Sequence, residues 1–134
     1  MKRLYIQSLK KSKLSQGDTL LPSKLVLGYM YDTKIENILF SNSRTVTEVL
    51  ILSNLGTLSL NIHELANECK EWAFSNDYHL ISSKRKNTKS WECWTVYDDD
   101  RDNLVGYFPS DSETNSIFLA VDEVANILSK KLVQ

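Results

Sequence analysis

The side chains able to do chemistry are few and scattered. The chain carries two histidines, His63 and His79, and two cysteines, Cys69 and Cys93. An imidazole that takes the proton of a nearby thiol makes a nucleophile, so either cysteine with His79 is the covalent chemistry this composition allows. No local motif supports such a pair, and both cysteines stand in apolar patterns that read as buried thiols. Zinc would need its ligands in tightly spaced pairs, which these four residues do not form. The glycines at positions 17, 28, 56 and 106 lie too far apart for a phosphate-cradling loop. The expectation is a non-enzyme with neither cofactor nor metal.

Two charged loops are the other candidates. Lys84-Arg85-Lys86-Asn87-Thr88-Lys89 gathers four cations, and with Trp91 and Trp94 close behind it can meet phosphates while an indole stacks on a base. The same residues suit an acidic protein surface or a merely solvated hairpin tip. Asp98-Asp99-Asp100-Arg101-Asp102-Asn103 places Asp98, Asp100 and Asp102 at the spacing of the first three ligands of a calcium loop. The sixth position is Asn103 where that loop needs glycine, and the twelfth is Pro109 where it needs glutamate. A solvated acidic turn is the better reading.

These loops must hang on regular elements. Ile62, Leu65, Ala66, Cys69, Trp72 and Ala73 recur at helical spacing. Asn61 caps that stripe and Glu64 follows three residues later as in a capping box, predicting a helix over 62–75. Strands are predicted over 78–83, 90–97 and 104–108, joined by the two charged loops as antiparallel hairpins. Ile117, Val121, Val124, Ala125, Leu128 and Leu132 share one face of a closing helix, with acidic residues at its start and Lys130 and Lys131 at its end. The first half reads as β-rich, with strands at 4–9, 24–31, 46–53 and 57–60. Segment 35–40 fits a strand or a short helix. The fold class is therefore α+β: an antiparallel sheet with two helices (α-β-β-β-α) over 61–134, and a β-rich segment over 1–60, in a single domain spanning 1–134.

Alternation along the middle strand puts Trp91, Cys93, Thr95 and Tyr97 on one side of the sheet and Glu92, Trp94 and Val96 on the other. Leu104 and Phe108 likewise oppose Val105 and Tyr107. Two helices cover only one face of three strands. The other face needs a cover, either the β-rich first half or a partner, which can be another protein or a second copy of the chain.

Composition fits this picture. With 134 residues, 42% hydrophobic and 25% charged, the chain can bury a core without staples. The basic start, Met1-Lys2-Arg3, leads into too short an apolar stretch for a secretion signal, and no run approaches the ~18 apolar residues of a membrane helix. The expected location is cytoplasmic, with no membrane partner. Net charge is −1, but residues 1–44 hold eight basic and three acidic side chains, and residues 45–134 eight basic and fourteen acidic. The halves thus carry opposite charge, which can steer partners or draw the halves together.

The order helix, three strands, helix resembles that of double-stranded RNA-binding domains. In that family a basic cluster opens the second helix and grips phosphates. The matching stretch here, Asp111-Ser112-Glu113-Thr114-Asn115, is acidic. More locally, Glu64-Leu65-Ala66-Asn67-Glu68-Cys69-Lys70-Glu71-Trp72-Ala73, a Trp/Cys-rich strand, and Asp111 to Phe118 resemble small phage and prophage proteins of unknown function with a helix–three-strand–helix core. That resemblance implies a mobile-element origin and supplies no site. The expected function is regulatory protein binding, as an inhibitor of host defence or a toxin-neutralising immunity protein. The alternative is a nucleic-acid-binding module using the basic hairpin.

Overall fold

The computed structural model describes residues 21–42, 47–84, 86, 90–98 and 104–133. The expected strand at 4–9 lies outside the described residues. The elements run α1 (Lys24–Tyr31), β1 (Ile35–Asn42), β2 (Thr47–Ser53), β3 (Gly56–Asn61), α2 (Ile62–Ser75), β4 (Tyr78–Lys84), β5 (Trp91–Tyr97), β6 (Leu104–Ser110) and α3 (Glu113–Val133). They form two antiparallel three-stranded sheets, ordered β1-β2-β3 and β4-β5-β6, and three helices. The α+β class and the α-β-β-β-α order of the second half stand. The first half differs, since it contributes a helix and a sheet of its own.

That helix corrects the strand expected at 24–31. Tyr29, Tyr31 and Val26 favour a strand, but Ser23 caps the first turn, its hydroxyl accepting the Val26 amide at 3.3 Å. Val26 and Leu27 are fully buried. Asp32 then stops the helix in the left-handed region (φ 49°), its amide donating to the Gly28 carbonyl. A cap and a buried contact outweigh a weak local preference here. The ambiguous segment 35–40 is strand β1, paired to β2 from Ile35↔Ser53 to Asn42↔Thr47.

α2 forms as its sequence dictates. Both halves of the capping box are present: Asn61 accepts the His63 amide at 2.8 Å and Glu64 accepts the Asn61 amide at 3.4 Å. Its apolar stripe is buried at Ile62, Leu65, Ala66, Cys69 and Ala73. α2 touches β2 and β3 on one side and β4 and α3 on the other, and α3 touches all three strands of the second sheet. One core therefore runs through both sheets and all three helices, from Val49 and Ile51 through Leu27, Leu65 and Cys69 to Leu80, Cys93, Phe118 and Val121.

The second sheet shows the predicted two faces, with one change of register. Tyr78, Leu80, Cys93 and Thr95 turn inward and are buried. Ile81 and Trp94 pair on the outward side, as do Trp94 and Tyr107. A bulge between Thr95↔Gly106 and Val96↔Leu104 leaves Val105 as the extra residue. It therefore moves Leu104 to the outward face with Tyr107, not to the inward face with Phe108 as strict alternation predicts. The first sheet packs on α1 and α2, and Ile81, Trp94 and Tyr107 lie outside the core. Among the described residues, then, the β-rich first half does not cover the outward face.

Candidate interaction groove at the edge of the second sheet

The geometry separates the sequence-predicted chemical groups. Cys93 lies on the inward face and His79 on the outward one, so β4 and β5 themselves keep them apart. Cys69 faces the core, its thiol 3.8 Å from the Met30 sulfur. Burial is the largest influence on both thiols, holding Cys69 far above its ordinary range and pushing Cys93 up to about 12. Neither is a thiolate near neutral pH, so the Cys–His pair is not assembled. Among the described residues, no three His, Cys, Asp or Glu side chains gather as metal ligands. No helix among them is long and apolar enough to cross a membrane.

Of the basic hairpin, Lys84 and Lys86 are described and exposed, while Arg85 and Lys89 lie outside the described residues. Trp91 faces Lys84 across the hairpin. Trp94 belongs to the opposite face, its ring tilted against Tyr107 with centroids 4.6 Å apart. The two indoles thus serve different surfaces, as alternation along β5 predicts. Asp98 ends β5 in the left-handed region (φ 57°) and donates its amide to the Asp77 carbonyl at 2.7 Å. Asp99, Asp100 and Asp102 lie outside the described residues.

The site that sequence reading missed is a groove of about 620 Å³ between α2 and β4, lined by Asn67, Lys70, Glu71 and Phe74 from the helix and His79 to Ser82 from the strand. Its size is that of a ligand site. The α2 stripe buries Leu65, Ala66, Cys69 and Ala73 in the core, and the 3.6-residue period turns Asn67, Lys70, Glu71 and Phe74 to the flank. The Asn76-Asp77 turn, with Asp77 at φ 74°, then reverses the chain so that β4 runs back beside α2. Phe74 is 58% exposed, yet its ring meets that of His79 edge-on at 5.5 Å. At the strand's other end the Ser82 hydroxyl donates to Glu113 at 2.9 Å.

The strand in this groove is an edge: among the described residues β4 pairs only with β5. The bond from the Asp98 amide to the Asp77 carbonyl sets the phase of that ladder. Antiparallel pairs alternate between exchanging bonds and turning them away. His79, Ile81 and Ser83 therefore bond to Val96, Trp94 and Glu92, and Tyr78, Leu80 and Ser82 direct their backbone N–H and C=O groups into the groove. A smaller cavity of about 240 Å³ lies beside Tyr31, Ile35, Ile51 and Leu58, where the Tyr31 hydroxyl donates to Glu68 at 2.7 Å.

Comparison of the chain with protein-family models, with curated proteins and with solved structures finds no match.

Proposed function

We propose that the chain acts by binding another protein and not by catalysis. The observation that carries this reading is the groove of about 620 Å³ along β4, where an exposed aromatic ring and outward-turned backbone groups lie side by side. Apolar contact gives such a site affinity, and directional backbone groups give it register. The aromatic outward face, where Tyr107 is 41% exposed beside Trp94, adjoins the same strand and broadens the surface a partner can use. Inhibition of a host defence protein or masking of a toxin are roles that a small binder of this kind can fill, in keeping with the resemblance to phage proteins.

A photo-crosslinking amino acid at position 67, in the groove, should capture a discrete partner in source cells. The same group at the exposed position 130 on α3 should not. Equal capture from both positions, or none from position 67, contradicts the reading.

A second reading, nucleic-acid binding, draws on Lys84 and Lys86 at the hairpin tip with Trp91 across the strand from Lys84. It predicts that labelled RNA or DNA binds at low salt and is released as salt rises. Absence of binding at low ionic strength removes it.

A further inference from the structure

We infer that the groove takes one extended segment of another protein, added as a strand beside β4, with an apolar side chain against Phe74 and acidic side chains toward Lys84 and Lys86. This rests on the protein-binding reading above and names the chemistry of its ligand.

Width is the first argument. α3 lies across β4, β5 and β6, and α2 packs beside it. Packed helices sit about 8–10 Å apart and paired strands about 4.8 Å apart. One helix spacing therefore equals about two strand spacings, which sets α2 over the lane next to β4. The groove is that lane: Asn67, Lys70, Glu71 and Phe74 form its roof, and Leu80, Ile81 and Ser82 its wall. Its width suits a single strand.

The wall also offers the right groups. Leu80 and Ser82 turn their N–H and C=O into the lane, the pattern an incoming strand completes. A second copy of the chain does not fit here. Pairing β4 with its own counterpart would bring a second α2 into the space the first one fills. The occupant is a strand that carries no helix on that side.

Charge sets its composition. Phe74 and His79 mark one end of the lane by their ring contact. Lys84 and Lys86 stand exposed at the other. Between them Lys70 lies close enough to the sheet to act on the Cys93 thiol. Within the lining Lys70 stands against one carboxylate, Glu71, and Glu113 against Ser82, so the positive charge the lane offers a ligand is that of the exposed Lys84 and Lys86. An acidic segment with one apolar anchor complements this arrangement. Because β4 spans seven residues, a partner segment of about five to seven residues fills the lane at ~3.3 Å each.

The test uses the full chain and a displayed library of random twelve-residue peptides. Selection should enrich sequences that pair an apolar residue with acidic ones. One enriched peptide is then remade with a single backbone N-methyl group moved along its length. Strand addition predicts at least a tenfold loss of affinity at every second position and little change between them. Phe74→Glu, at a site 58% exposed, should weaken the same peptide at least tenfold at a temperature where the variant remains folded. No enrichment, a methyl scan without a two-residue period, or equal binding to Phe74→Glu overturns the inference. Capture of a partner from position 67 alongside such a failure would leave the protein-binding reading standing and remove only the extended segment.

Discussion

Phe74 and His79 meet edge to face, ring centroids 5.5 Å apart, where the end of α2 hands the chain to β4. The contact joins a helix residue outside the apolar stripe to a strand residue on the outward face. It marks one end of the groove in which the backbone of β4 turns outward. Four changes elsewhere test the framework that holds these parts in place.

Gly106 sits directly beneath the Phe108 ring. A β-carbon there would stand 2.5 Å from a ring carbon. Gly106→Ala must shift the ring, and such overpacking costs about 1–3 kcal/mol. Urea unfolding should show this loss, and Gly106→Ala at wild-type stability would mean the ring is free to move.

Thr95 is fully buried, and its hydroxyl finds no hydrogen-bond partner among the described residues. Thr95→Val keeps the shape and removes the unsatisfied group, so it should raise stability by about 1 kcal/mol. A loss on the same scale would show that the hydroxyl is bonded in solution.

The buried thiols make stability depend on pH. Cys93 holds its proton to about 12 in the folded chain and would release it near 9.0 when exposed. Between those values the unfolded chain binds fewer protons, so stability falls as pH rises, by about 1.4 kcal/mol per unit for this thiol. Unfolding titrations at pH 8 and pH 10.5, in reductant, should show the decline. Cys93→Ala should reduce the slope and leave the share that the buried Cys69 thiol contributes, and an unchanged slope in that variant would contradict the assignment.

Asn61 and Glu64 close both halves of the α2 capping box. Asn61→Ala should cost about 1 kcal/mol by exposing the first-turn amides. The loss should appear as a lower melting temperature, and an unchanged one would show that tertiary packing alone sets the start of the helix.

Legibility in the sequence followed how local each signal was. α2 begins and ends where its cap and stripe predict, because Asn61, Glu64 and the apolar period lie within a few residues of each other. β4 and β5 were equally plain. α1 departs from its local preference, because Leu25 to Tyr31 favour a strand while the helix depends on Ser23 and on burial of Val26 and Leu27. Ser23 directly after Pro22 was the signal that could have found it. The shift of Leu104 came from a bulge, which alternation alone does not foresee. The groove was invisible for a deeper reason. Phe74 reads as an apolar residue off the stripe, and only the reversal at Asn76-Asp77 brings it against β4. The basic hairpin, conspicuous in sequence, contributes Lys84 and Lys86 to one end of that lane.

The most direct test of the central claim compares what a tagged chain retrieves from its source cells with and without Phe74→Glu, by quantitative mass spectrometry. The account predicts a specific partner whose recovery falls at least tenfold in the variant while the variant remains folded at the temperature of the experiment. The same partners at the same abundance from both chains would contradict it.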